Sequence, residues 1–223
     1  MSEKLSFTEE NYLKAIYHLS DGGKQSVNTN SLAESMNTSP ASANDMVKRL
    51  SQKKLIGHQK YKGATLEKKG EEIALKIIRK HRLWEVFLVE KLSFKWDQVH
   101  EIAEQLEHIQ SPLLISRLDE FLGHPTVDPH GDPIPNEDGE MKQTIKAPIS
   151  ELPVSTKGII VSVNNDDSSL LKHLNTIGIE LGSKVEIVER MEFDGSVSVK
   201  VDEMKQQFIS PLIADNLMVT VID

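Results

Sequence analysis

Between residues 79 and 111, histidines and carboxylates recur at intervals of three and four, a spacing that an α-helix turns toward a single side. The stretch R-K-H-R-L-W-E supplies His81 and Glu85, and V-H-E-I-A-E-Q-L-E-H-I supplies His100, Glu104, Glu107 and His108. The pattern predicts two helices whose polar residues point to the same side. Imidazole combined with carboxylate suits a borderline-to-hard divalent ion such as Mn²⁺, Fe²⁺, Co²⁺ or Zn²⁺. A helix rich in Glu and His is often only a solvated face. Six residues keeping one spacing argue against that reading here.

The 223 residues are enough for two or three small domains. With 0 cysteines there are no disulfides, thiolate zinc sites or cysteine nucleophiles. The opening M-S-E-K-L-S-F-T-E-E lacks a basic segment followed by an apolar one, so no secretory leader is expected. No apolar run approaches the ~20 residues of a membrane span. A cytoplasmic protein without a membrane partner is expected. Charge is unevenly placed. Residues 1–70 carry eleven Lys and Arg against seven Asp and Glu, a net of +4, which leaves −12 for the rest of a chain of net −8. A basic head on an acidic body fits a nucleic-acid reader joined to a cation-binding module.

Residues 7–19 read as a helix capped by Thr8, with Tyr12, Ile16 and Leu19 inward, stopped by D-G-G at 21–23. A short helix, T-N-S-L-A-E-S-M, is followed by a turn at N-T-S-P. Ser39 then caps a second helix, with Pro40 at its first position and Met46, Val47 and Leu50 inward. Two helices joined by a tight turn, the second polar and basic outside, form the helix-turn-helix pattern. The alternating L-I-G-H-Q-K-Y-K-G-A-T-L, turning at Lys62–Gly63, predicts a β-hairpin wing.

Helices are then expected over 70–92, 97–109 and 111–122, followed by a Pro- and Gly-rich linker over 123–148. From about Ile149 short β-like runs appear: K-G-I-I-V-S-V, G-S-K-V-E-I-V-E-R, S-V-S-V-K-V and L-M-V-T-V-I. They predict a small barrel of SH3-like size, interrupted by one helical piece, D-S-S-L-L-K-H-L-N-T-I-G-I. The expected architecture is multidomain α+β. A winged helix-turn-helix domain spans 1–70, an all-α metal-binding and dimerisation domain with its linker spans 71–147, and an SH3-like β-barrel spans 148–223.

This ordered set resembles the diphtheria-toxin-repressor family, whose manganese-sensing branch regulates metal uptake. The resemblance is carried by S-P-A-S-A-N-D-M-V-K-R-L, R-K-H-R-L-W-E-V-F-L, V-H-E-I-A-E-Q-L-E-H, H-P-T-V-D-P-H-G-D-P-I-P and L-N-T-I-G-I-E-L-G-S-K-V-E-I-V. The last resembles the family's SH3-like domain, related to a ferrous-transport accessory fold. The resemblance implies a homodimer that binds palindromic double-stranded operator DNA when loaded with metal, usually as a repressor of metal-ion uptake genes. It implies no enzymatic activity and no small organic substrate.

Residue by residue, the resemblance assigns His81, Glu85 and His100 to an ancillary metal site, to which Asp167 (or Asp166) of the SH3-like domain adds a ligand. Equally, Asp167 in N-N-D-D-S-S reads as a helix cap. The regulatory site takes Glu104, Glu107 and His108 with one residue of the first helix. That residue is Asn11, where manganese sensors carry aspartate, with Glu10 as a substitute. Glu104 stands where the iron branch has cysteine, and a hard oxygen ligand favours Mn²⁺ over Fe²⁺, with Zn²⁺ or Co²⁺ possible in vitro. Asp128 replaces a cysteine common among related sensors, so Asp128 and His130 offer a third site near Glu85. A turn aspartate and an exposed histidine explain that pair equally well.

On the DNA side, Ser39, Pro40, Ser42 and Asn44 stand at the front of the recognition helix, and Lys48, Arg49, Lys60 and Lys62 are phosphate candidates. A di-metal enzyme is disfavoured, because Glu-x-x-His is absent: Gln105, Ile78 and Asp97 stand three before His108, His81 and His100. The alternative is a winged-helix regulator of another signal with a purely structural ion.

Overall fold

A computed structural model of the protein describes residues 5–59, 63–142, 144–165, 167–202 and 206–222. The expected phosphate contacts Lys60 and Lys62, the hairpin turn beside them and Asp166 lie outside the described residues. The chain forms two compact units. One comprises residues 1–81, 104–115 and 135–140, the other residues 82–103, 116–134 and 141–223.

The first unit opens with α1 (Phe7–Leu19). Its cap is Ser6 rather than Thr8. Ser6 Oγ accepts from the Glu9 amide at 3.3 Å, and the Glu9 carboxylate accepts from the Ser6 amide at 2.9 Å. This reciprocal capping box satisfies two otherwise orphaned donors, which a cap at Thr8 cannot do with Asn11 three residues on. Tyr12 and Ile16 are buried as expected, but Leu19 in the last turn is exposed.

Helices α2 (Thr29–Ser35) and α3 (Pro40–Gln52) follow, capped by Asn28 and Ser39, with Pro40 at the start of α3. Strands β1 (Ile56–Gln59) and β2 (Gly63–Leu66) pair antiparallel as the wing. Val27 adds a bridge to Ala64 that the sequence did not signal. Gly63 sits at φ +90°, and a Cβ there would lie 2.4 Å from the Val27 carbonyl oxygen, so this close approach requires glycine. Leu13, Ile16, Leu32, Val47, Leu50 and Ile56 form the core of this unit. Full burial of each such side chain contributes roughly 1.5–3 kcal/mol.

Helix α4 (Lys68–Leu92) starts in the first unit and continues into the second. The helix expected over 97–109 is shorter. A 3₁₀ turn at Trp96–Gln98 precedes α5 (His100–Leu106), and Glu107 and His108 fall in the turn beyond it. Helix α6 (Pro112–Phe121) starts at a serine cap, the Leu114 amide donating to Ser111 Oγ at 3.3 Å.

In the second unit a six-stranded antiparallel sheet carries the C-terminal residues. Its strands are β3 (Ala147–Pro148), β4 (Lys157–Val163), β5 (Lys184–Arg190), β6 (Val197–Val201), β7 (Gln207–Ile209) and β8 (Leu217–Val221). They are ordered β3-β8-β4-β5-β6-β7. The four longer strands are the four expected runs. The short β3 and β7 carry too few residues to show alternation.

Register shifts in β4 and β5, at Ile160/Ser162 and Ile187/Glu189, bend the sheet around its core. That core joins Ile160, Val185, Ile187 and Val199 to Leu171 and Leu174 of α7 (Ser168–Thr176) and Ile213 of α8 (Pro211–Asn216). Trp96 packs against it, and its indole N–H donates to Asn175 Oδ1 at 2.9 Å.

Candidate metal centre and nucleic-acid face

In the first unit, α1 presents Glu10, Asn11 and Lys14 on one side because they stand three and four residues apart. Glu10 is 5% exposed and holds two partners. The His108 Nδ1–H donates to Glu10 Oε2 at 2.6 Å, and Gln110 Nε2 donates to Glu10 Oε1 at 2.7 Å. Phe7 stacks on the His108 ring with centroids 4.5 Å apart, shielding it from water.

Glu107 is wholly buried. Its carboxylate accepts from His81 Nδ1–H at 2.6 Å and lies 2.8 Å from the Lys14 ammonium, which also reaches Glu104 Oε1 at 3.4 Å. Burial alone would raise the Glu107 pKa. The His81 hydrogen bond and the Lys14 charge outweigh it and hold the carboxyl below its usual range. Lys80 is driven down by burial, against the pull of the Glu10 and Glu107 carboxylates.

The Asn11 Oδ1 atom is buried and has no hydrogen-bond partner among the described residues. An orphaned acceptor of that kind costs about 1–3 kcal/mol unless a donor or cation meets it. The candidate ligands Glu10, Glu104, Glu107 and His108 offer oxygen and imidazole donors, which suit a hard or borderline divalent ion, with the Lys14 ammonium against two of those carboxylates. Glu10, not Asn11, is the first-helix residue that reaches His108. The resemblance puts Asn11 first and Glu10 as its substitute, and both project from the same turn of α1.

In the second unit Glu85, Asp128 and His130 each offer a ligand atom, and these atoms lie within 4.8 Å of one another. His100 Nδ1 stands 3.7 Å from Glu85 Oε1, and His81 lies one turn before Glu85 on α4. Asp128 does act as a turn residue: its Oδ1 accepts from the His130 amide at 2.8 Å and the Asp132 amide at 3.0 Å. Its other oxygen faces Arg82 Nε at 3.4 Å. His130, however, is 3% exposed, so the surface-histidine explanation fails for it.

Burial and then the Glu85 and Asp132 charges push Asp128 up to about 6. Burial would lower His130, but its pairing with Glu85 and the Asp128 charge prevail and raise it to about 9. His130 Nε2–H donates to the Trp96 carbonyl at 2.9 Å, which leaves Nδ1 facing Glu85 at 3.6 Å. Gly131 closes this loop at φ +82°, and a Cβ there would come within 1.9 Å of the Val161 carbonyl oxygen.

Asp167 caps α7. Its Oδ1 accepts from the Ser169 amide at 2.7 Å, as the capping reading of N-N-D-D-S-S expects.

Ser39, Pro40, Ser42, Lys48 and Arg49 are exposed on α3 and Asn44 is half-buried. Ser39 Oγ accepts from the Ser42 amide at 3.1 Å, so one residue both caps the helix and stands at its front. Lys48 pairs with Asp45 at 3.3 Å. Sequence reasoning missed Lys14, which carries no ligand signature and stands out only once it is placed among carboxylates.

The sequence matches the iron-dependent repressor N-terminal DNA-binding domain over residues 4–64 and the iron-dependent repressor metal-binding and dimerisation domain over 67–136. It matches the FeoA domain over 147–221. Among solved structures, a manganese-dependent transcriptional repressor in complex with manganese is 33% identical with a TM-score of 0.89, covering 96% of this chain and 100% of that one.

An uncharacterized HTH-type regulator of Methanocaldococcus jannaschii is 34% identical over 118 residues, 53% of this chain and 94% of that protein. The iron-dependent repressor IdeR of Mycobacterium tuberculosis is 34% identical over 128 residues, 57% of this chain and 55% of that protein. The chain thus aligns with about half the length of IdeR. In order along the chain, the matched models are those of a repressor's DNA-binding domain, its metal-binding and dimerisation domain, and a FeoA domain. The chain belongs to the iron-dependent repressor family.

Proposed function

We propose that this protein is a metal-activated repressor of metal-uptake genes, binding palindromic operator DNA as a homodimer in the cytoplasm. The observation that carries this reading is the buried pairing of Glu10 on α1 with His108 beyond α5. It joins the helix that packs against the DNA reader to the segment bearing Glu104 and Glu107. Glu10, Glu104, Glu107 and His108 would hold the regulatory ion, with the Asn11 carbonyl oxygen as a neutral further ligand. When bound, a divalent cation supplies positive charge among these carboxylates. Oxygen donors outnumber nitrogen here and sulfur is absent, which supports Mn²⁺ over Fe²⁺.

The chain's own residues do the rest. Glu10 and His108 fasten α1 and thereby steady α3, whose spacing from its dimer mate must match successive major grooves ~34 Å apart. Ser42 and Asn44 would read bases, while Lys48 and Arg49 would meet phosphates. A second ion is proposed at Glu85, Asp128 and His130, and His81, Glu85 and His100 are retained as an ancillary ligand set. Asp167 serves α7 as its cap, and we assign it no ligand role. A three-part division near residues 70 and 147 fits this assignment of roles.

The coupling between ion and DNA is reciprocal, typically about 1–3 kcal/mol. The test is operator binding with and without Mn²⁺, in wild type and in Glu107→Gln. A structural ion serving another signal would leave DNA affinity unchanged across the titration.

A further inference from the structure

The Lys14 ammonium lies against two of the carboxylates proposed to hold the regulatory ion. It lies 2.8 Å from the buried Glu107 carboxylate and 3.4 Å from Glu104, and its side chain is only 13% exposed. Two carboxylates brought together repel, and burying Glu107 beside the half-exposed Glu104 is costly without a counter-charge. Lys14 supplies that charge from α1, on the same side of the helix as Glu10 and Asn11.

We infer that Lys14 is a tethered counter-ion that competes with the incoming divalent ion for Glu104 and Glu107, and so sets the concentration at which the site fills. This rests on the proposed ligand role of those two carboxylates. A divalent ion and an ammonium cannot both contact the same carboxylate oxygens without strong mutual repulsion. Filling the site therefore requires the ammonium to withdraw. Its flexible four-carbon stem allows this by side-chain rotation, leaving α1 intact. Together with His81, the same residue holds the Glu107 carboxylate in place before the ion arrives. One side chain thus stabilises the ion-free form and weakens the ion's apparent affinity.

The experiment is calorimetric titration of the full-length, chelator-stripped protein with Mn²⁺, following the binding step that Glu107→Gln abolishes. Lys14→Met keeps the apolar stem and removes the charge. It is expected to bind Mn²⁺ at least about tenfold more tightly than wild type and to melt at a lower temperature without metal. Lys14→Arg keeps the charge in a planar fork that grips both carboxylates, and it is expected to bind more weakly than wild type. Lys14→Met affinity equal to or below wild type would overturn the inference. Should Lys14→Met not fold without metal, the arginine variant decides: affinity equal to or above wild type overturns it. If Glu107→Gln itself leaves the Mn²⁺ isotherm unchanged, the ligand assignment fails, and the role of Lys14 falls with it.

Discussion

Glu10 Oε2 and His108 Nδ1 stand 2.6 Å apart in a buried pair that ties the first helix to the turn after α5. Substituting Glu10→Gln keeps the shape and removes the charge. It is expected to weaken Mn²⁺ binding about tenfold or more, equivalent to ~1.4 kcal/mol. Asn11→Asp is expected to act in the opposite direction by charging the orphaned acceptor. Metal titrations of both variants check the pair together, and equal affinities would remove α1 from the site.

Gly131 allows the Asp128–His130 loop to lie against the Val161 carbonyl. Gly131→Ala places a methyl group in contact with backbone and forces a residue to positive φ. The expected loss is about 1–3 kcal/mol of stability, read as a lower midpoint in urea. Gly123, which also has positive φ, meets nothing within 4 Å. Alanine there carries the conformational strain alone and is expected to cost less.

On α3, Lys48→Ala and Arg49→Ala are expected to weaken binding to any DNA sequence alike and to lower the salt slope by about 1 each. Asn44→Ala is expected instead to relax preference at particular base pairs, at about 1–3 kcal/mol. Fluorescence anisotropy against operator and scrambled duplexes at several salt concentrations separates the two behaviours.

Much of the fold was legible because its signals are local. Ser39–Pro40 marks the start of α3, and alternation marks β4, β5, β6 and β8. The end of α5 was not legible. E-Q-L-E-H keeps helical spacing, yet Glu107 turns away to meet His81 and Lys14, partners 26 and 93 residues distant. The candidate ligands were visible as residue types, but their pairing was not. Glu10 and Asn11 are adjacent in sequence, and only the packing of α1 decides which one reaches His108. Lys14 was invisible for the same reason, since a lysine on an amphipathic helix ordinarily faces solvent.

Ligand binding to the folded state adds stability by mass action. Mn²⁺ at a hundred times its dissociation constant is expected to add about 2.7 kcal/mol, and chelation to remove it. A thermal melt with and without chelator reads this directly. Glu107→Gln, which removes the charge that His81 and Lys14 face, is expected to show a smaller shift with added metal.

The most direct test of metal-switched repression is DNA binding by the chelator-stripped protein to its own upstream region. Mn²⁺, Fe²⁺ under anaerobic conditions and Zn²⁺ are titrated separately, with Glu104→Ala as control. Mn²⁺ is expected to restore tight binding at lower concentration than Fe²⁺, and the variant to stay weak. Equal affinity with and without metal would contradict metal-switched repression.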